Sequence, residues 1–395
     1  MKIAFITDFH AQFLSAFPVI NHLVVARNGG AVIFDSGDFL GESFVLDALG
    51  PAIFERLQED IFDTLCPGNH GFGQCIGSPR AVCCNVVHEL GNPAPWQMIE
   101  RGDIRLGVIG IIGRQAFNAT PIQERAGFRF VDPLDRLPHA IRAARQAGAN
   151  QLLLLSHCGY NQDIALARDI TDFDVILSGH CHSDAVSEWI GKTLVVKAPE
   201  MGGGIGYLTL GVDGVTALSF DFAPDPTIAC APALNDLRVG LAQAVAFAEK
   251  EIGPLASTFS RARKERQVFL QNVLTALQMQ HPNHRVILNL NVFRDLLPTD
   301  ILTEGALYDL MPFDNMLVTF EWPKSDLFAQ LNALPEEPFA QAEYDIETTQ
   351  RIMTTDYVAQ TYLGLGANDF TIVAPLRAAL ARFLTEPNHN VQTAI

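Results

Sequence analysis

Four times in the first half of the chain, a strand-length apolar run ends in residues drawn from Asp, Ser and His. KIAFIT runs into Asp8-Phe9-His10, AVIFD into Ser36-Gly37-Asp38, QLLLLS into His157, and DVILS into Gly179-His180-Cys181-His182. A shorter fifth run, DTLC, leads to Gly68-Asn69-His70. Between these runs lie amphipathic stretches with helical spacing, such as 133–147 with Gly148 as its stop, so the pattern is that of strands covered by helices in an α/β layer fold. Sheets of that kind build their sites at strand tips, where all five polar groups fall.

The clearest strands read as 2–7, 31–35, 63–66, 151–156 and 174–178, and the segments 105–112, 193–197 and 205–222 complete a first domain over 1–222. The segment APDPTIACAP places three prolines between Ala223 and Pro232, which breaks both helix and strand and predicts a linker over 223–234. Beyond it, helical patterns at 235–252 and 261–279, the strand-like RVILNLNVF and a terminal helix over 374–384 predict a smaller α+β domain covering 235–395. MGGGIG at 201–206 lacks the Lys-Ser or Lys-Thr of a phosphate cradle and precedes a strand, so it reads as a turn.

Composition narrows the function by exclusion. The chain's 395 residues are 48% hydrophobic and 18% charged, which suits a folded protein of two domains. A formal net charge of −17 and the lack of a basic block oppose binding to long nucleic acid. No run approaches the ~20 apolar residues of a membrane-spanning helix, and the N-terminal residues enter a strand without a secretion signal, so the expected location is cytoplasmic with no membrane partner. Seven cysteines with no CxxC pair make a disulfide framework or zinc ribbon a poor reading and suit small buried side chains.

In an extended segment residues i and i+2 face the same way, so Asp8 with His10, and His180 with His182, can each grip one centre. Oxygen and imidazole donors without thiolate suit Mn, Fe or Zn, and the seven candidates Asp8, His10, Asp38, Asn69, His157, His180 and His182 exceed what one ion holds. Two divalent metal ions sharing Asp38 fit better, and such a pair clamps a phosphoryl group for in-line attack. Singly, Asp38 also suits a helix cap, Asn69 a turn and His157 an interior histidine, but five such tips at successive strand ends point to a site.

TDFH, SGDFLGES, GNHGFG, LLLLSHCGYNQDIALA and FDVILSGHCH together resemble the motif set of calcineurin-like dinuclear metallophosphoesterases. FRDLLPTDILTEGALYDLMPFDNML is similar to the second domain of their 5′-nucleotidase and 2′,3′-cyclic phosphodiesterase branch. The resemblance implies a four-layer αββα sandwich with a smaller C-terminal α+β domain that binds substrate. It implies one metal held by Asp8, His10, Asp38 and His182, and another by Asp38, Asn69, His157 and His180. It implies that His70 stabilises the phosphoryl transition state or protonates the leaving group, beside Asn69. In the second domain it assigns Arg294 to steadying substrate, Phe313 and Asn315 to stacking on and binding a nucleobase, Tyr357 to the other face of an aromatic clamp, and Asp369 to the nucleoside.

The expected activity is hydrolysis of a small phosphate ester, a nucleoside monophosphate or cyclic nucleotide, by metal-bound hydroxide, with manganese among the fitting ions. The chain departs from the branch where an acid should follow the histidine, since Gly71, Phe72 and Gly73 come after His70. TYLGLGANDF is longer than the usual loop before Asp369, and Arg294 equally suits an ion pair with Asp295 or Asp300. Two alternatives therefore stand beside the nucleotide reading: a phosphatase for a sugar phosphate or biosynthetic intermediate, and a weakly active metal-containing ligand-binding protein. Charge and composition do not fix the oligomeric state.

Overall fold

The computed structural model describes residues 1–41, 43–121, 123–181, 183–263, 265–289, 292–293, 297, 299–313, 315–322, 327–332, 339–341, 351–366 and 368–385. Contacts divide the chain into two units, Met1–Ala242 and Gln243–Ile395. The segment 223–234 falls in the first unit, and the helix Asn235–Ala248 crosses the division.

The first unit holds two facing sheets. One runs in the order Gly214–Asp221, Ile205–Gly211, Lys2–Ile6, Val32–Asp35, Thr64–Leu65, and the other Val186–Ile190, Thr193–Lys197, Val175–Ser178, Gln151–His157, Ile104–Ile112, Trp96–Arg101. The run QLLLLSH explains why they pack: successive side chains leave a strand on opposite faces. Leu153 and Leu155 join Phe5, Phe34, Val108 and Leu177 in a core between the sheets. Leu152 and Leu154 point the other way, against Leu137, Ala140, Ile141 and Ala144 of the helix Pro133–Gln146. That helix starts at the residue the spacing predicts because Asp132 caps it, its Oδ1 accepting from Leu134 N at 3.0 Å. On the far side of the first sheet, the helices Phe17–Asn28 and Pro51–Ile61 bury Ile20, Leu23, Phe54 and Ile61 completely. The result is the four-layer helix-sheet-sheet-helix order.

The central strands of both sheets are parallel. Lys2–Ile6 pairs parallel with Val32–Asp35, and that strand with Thr64–Leu65. In the other sheet Ile104–Ile112, Gln151–His157, Val175–Ser178 and Thr193–Lys197 pair parallel in succession. Their C-terminal ends therefore share one edge in each sheet, which is what brings the polar tips together.

The second unit has a five-stranded sheet in the order Phe339–Gln341, Arg285–Asn289, Arg351–Thr355, Met316–Glu321, Thr371–Pro375. One apolar cluster includes the helices Arg266–Gln280 and Leu376–Thr385, and another gathers Ile287, Val318, Phe320, Ile352 and Val358. Three boundaries differ from the periodicity. The helix expected over 235–252 stops at Ala248, and Glu251–Pro254 pairs instead with Ile301–Thr303. The helix expected over 261–279 is two, Ser257–Ala262 and Arg266–Gln280. The last helix begins at Leu376 because Thr371–Pro375 is taken up as a strand against Met316–Thr319. In each case pairing with a distant strand, or a break in the backbone, overrides local helical spacing. No helix among the described residues is long and apolar enough to cross a membrane.

Candidate metal centre

The backbone beyond the strand ends is held as tightly as the strands. Asp8 N donates to Gly37 O at 3.0 Å, His10 N to Asp38 O at 2.8 Å and Ala11 N to Phe39 O at 3.0 Å, so the first two tips are zipped together. Asp8, His10, Asp38 and His180 have φ of 49°, 49°, 59° and 79°, in the left-handed region. Among the described non-glycine residues only Ala11 and Met201 join them there. That conformation costs roughly 1 kcal/mol or more per residue and persists where surrounding structure enforces it, commonly at functional sites. Glycines make room: a side chain at Gly68 would overlap the Asp38 carboxylate, and one at Gly179 would strike Thr7 Oγ1 and Ser36 O.

Six of the seven sequence-derived candidates lie among the described residues, and four of them, Asp8, His10, Asp38 and His157, fall in two overlapping groups that His70 completes. His10, Asp38 and His70 place one ligand-type atom each within 4.8 Å of one another, and so do Asp8, Asp38 and His157. Asp38 belongs to both groups, which set Asp8 with His157 and His10 with His70 rather than Asp8 with His10. Its Oδ2 lies 3.8 Å from His10 Nε2 and 3.3 Å from His157 Nε2, while its Oδ1 accepts from His70 N at 2.8 Å. His180 N donates to Asp8 Oδ1 at 3.0 Å, and His180 Nδ1 lies 3.1 Å from Asn69 Oδ1. Asp8 and His157 are fully buried, and Asp38 and Asn69 nearly so. His182 lies outside the described residues.

Burial pushes the Asp8 carboxyl up, with the Asp38 charge adding to it and His157 opposing. Burial alone would raise Asp38 too, but the imidazoles of His157, His70 and His10 outweigh it and hold that carboxyl well below the usual range. Burial likewise disfavours a charged His157, yet the Asp38 carboxylate prevails and the imidazole is pushed up to about 9. This is a buried pocket that draws positive charge to its centre.

The second unit gathers only part of the predicted substrate set. Asp356 Oδ1 accepts from Met316 N at 2.9 Å, Tyr357 N at 3.0 Å and Asn315 Nδ2 at 3.5 Å, so Asn315 and Tyr357 stand together, with Phe313 two residues upstream of Asn315. Tyr357 meets Tyr362 edge to face, 5.7 Å between ring centres. Asp369 lies elsewhere. It accepts from Gly366 N at 2.7 Å and lines a cavity of about 360 Å³ with His284, Glu321 and Arg351. Pro375 pairs with Met316 whereas Thr371 pairs with Thr319, so Asp369, two residues before this strand, lies at its opposite end from Asn315, with the strand's length of about 13 Å, at ~3.3 Å per residue, between them. Arg294 lies outside the described residues.

No protein-family model matches the chain. Its sequence is 29% identical over 186 residues to a protein of Treponema pallidum (strain Nichols) named "Probable 5′-nucleotidase", a match covering 42% of this chain and 30% of that protein's length. The fold aligns with the 5′-nucleotidase precursor of Thermus thermophilus over 97% of this chain and 96% of that one, with a TM-score of 0.74 and 18% identity. It aligns with the 5′-nucleotidase of Candida albicans over 98% of each chain, at a TM-score of 0.69 and 14% identity. Sequence and fold together liken the chain to 5′-nucleotidases, proteins of the calcineurin-like phosphoesterase fold.

That nucleotidase-like fold implies divalent metal, and the residues present fit it. His157 Nδ1 lies 2.8 Å from Ser36 O, to which it donates, an outer contact that turns Nε2 toward Asp38. That Nε2 is buried, 3.3 Å from Asp38 Oδ2, with no hydrogen bond assigned to it among the described residues, which suits a donor atom toward an ion. The oxygen and nitrogen donors of the nucleotidase-like centre suit Mn, Fe, Co or Zn.

Sequence reasoning missed the residues that support this centre. Asp163, on the helix Tyr160–Asp169, accepts from Ser156 Oγ at 2.6 Å and from Ser178 Oγ, tying together the strands that end in His157 and lead to His180. Glu124 Oε2 accepts from Gly73 N at 2.8 Å and anchors the turn after His70. Lys197, fully buried, was read only as the end of an apolar strand. A charged residue closing the run TLVVK is a signal that was available.

Proposed function

We propose that the chain is a metal-dependent phosphoric ester hydrolase acting on a small phosphate ester, a nucleotide foremost. The observation that carries this reading is the pair of donor groups sharing Asp38 where the parallel central strands of both sheets end. Two divalent ions bound there would supply the positive charge that takes up a phosphoryl group and the activated water that attacks it. Asp8, His10, Asp38, Asn69, His157 and His180, with His182, hold and space those charges. The Asn69 amide contributes an oxygen without adding negative charge against an anionic substrate. His70, half-buried at the rim with its amide fixed on Asp38 and its ring 4.9 Å from that of His10, is placed to donate a proton or hydrogen bond to the departing oxygen. Phe313, Asn315 and Tyr357 bind the organic part.

Phosphate release from nucleoside 5′- and 3′-monophosphates, sugar phosphates and an aryl phosphate, with and without chelator, tests this reading, with 2′,3′-cyclic nucleotides assayed through a coupled phosphatase. Chelator-sensitive release concentrated on nucleotides is expected. A specific observation favours a second reading, in which the substrate is a sugar phosphate or other phosphorylated intermediate. Asp369 stands apart from Asn315 and Tyr357, and no acid follows His70 in Gly71-Phe72-Gly73. Turnover confined to sugar phosphates would establish that alternative and overturn the nucleotide assignment.

A further inference from the structure

Lys197 ends the strand Thr193–Lys197 and its side chain is 0% exposed. A lysine with no access to water requires an arrangement that satisfies its charge. Its Nζ donates to the backbone carbonyl of Ser183 at 2.6 Å and pairs with Glu200 Oε2 at 3.2 Å. Ser183 closes the short segment that begins at His180 and contains His182. Glu200 opens the turn that continues into Met201 and Gly202, where Met201 N donates to Asp8 O at 2.8 Å. A side chain at Gly202 would overlap Ala16 and press on Phe9, so this turn lies directly against the Asp8-Phe9-His10 tip. One ammonium thus ties the histidine segment to the turn that braces the aspartate tip.

Stability is a weak reason to keep such a group. A buried ion pair seldom repays its desolvation, and an apolar side chain of similar size is often as stable or more so, whereas the pair does fix geometry. We propose that Lys197, anchored by Glu200, is a positioning residue for the metal centre, holding the segment 180–183 and the Asp8 tip in the spacing that the ions require. The inference rests on the metal-centre reading above.

The full chain, stripped with chelator, is titrated with Co²⁺, and ion stoichiometry, affinity and the visible absorption of the cobalt form are read for wild type, Lys197→Met, Lys197→Arg and Glu200→Gln. Lys197→Met should bind at least one ion about 10- to 100-fold more weakly, as loss of outer contacts to ligands does. It should also shift the cobalt spectrum, while the metal-free protein melts no lower than wild type. Lys197→Arg, which keeps the cation and its donors, should restore most of the affinity. If Lys197→Met fails to fold, Glu200→Gln, at a side chain 24% exposed, carries the same test with a loss of about tenfold, the lower end of that range. Unchanged affinity and spectrum in both variants, with a lower melting temperature of the metal-free protein, would make Lys197 a prop of the fold and overturn the proposal. A wild-type protein that binds no divalent ion would instead remove the metal-centre reading on which it stands.

Discussion

The two units treat their polar residues in opposite ways. In the first, side chains from four separate strand tips, that of Asp38 among them, meet in one place, because parallel strands must end on one edge and because hydrogen bonds such as His10 N to Asp38 O fix the loops beyond them. In the second, Asn315 and Tyr357 meet through Asp356 while Asp369 sits at the far end of the same sheet, where antiparallel pairing of Met316–Glu321 with its neighbours sends consecutive loops to opposite ends. Parallel topology concentrates chemistry and antiparallel topology divides it. The chemistry of the first unit is therefore better determined than the recognition in the second.

The largest effect should come from Asp38, the residue common to both donor groups. Asp38→Asn is expected to cut phosphate release about 1,000-fold or more, beyond the 10- to 100-fold that outer contacts cost, and to lower bound metal measured on the same preparation. A smaller loss, about 10²- to 10³-fold on nucleotides within the usual span of general acid catalysis, is expected for His70→Ala. It should shrink on an aryl phosphate, whose leaving group needs little protonation, so equal losses on both substrates would remove the proton-donor role.

In the second unit Phe313→Ala and Tyr357→Ala should each raise KM for a nucleotide about 5- to 100-fold, the span of a lost base-stacking contact, with kcat little changed. Asp369→Ala should change KM by less than about threefold, below one hydrogen bond's worth. A large KM effect at Asp369 would break the comparison between the units by showing that both ends of that sheet serve one substrate.

The smallest effect concerns Asp163, whose carboxyl burial pushes up to about 7 against the Ser156 and Ser178 hydroxyls that oppose the shift. The folded chain keeps that proton between about pH 4 and 7 while the unfolded chain releases it, so stability declines as pH rises through this window, by at most about 1.4 kcal/mol per unit. Asp163→Asn, neutral throughout, should lack this decline in urea unfolding of the metal-free protein, and parallel stability curves for the two would contradict it.

How much could be read from the sequence follows the same division. Asp8, His10, Asp38, Asn69, His157 and His180 were legible because each follows a short apolar run within one or a few residues, a local signal that parallel topology converts into a meeting point. The α/β layering was legible in the alternation of strand-length and helical runs, while the four-layer order followed from the family resemblance. The helix boundaries near Ala248 and Leu376 were not, since Glu251–Pro254 and Thr371–Pro375 owe their strand form to partners some fifty residues away in sequence. Asp163 and Lys197 were missed because their roles depend on hydroxyls of other strands and a carbonyl of a loop, which no spacing rule records.

The central claim is that Asp38 unites two ion-binding groups into one hydrolytic centre. It is tested most directly by adding Mn²⁺ back to chelator-stripped protein and following bound ion per chain together with phosphate release from a nucleoside 5′-monophosphate, for wild type and Asp38→Asn in parallel. The account predicts no release without ion, release that rises as two ions load onto wild type, and failure of both in the variant. Hydrolysis that persists in chelator, or an Asp38→Asn protein that loads ions and turns over like wild type, would contradict it.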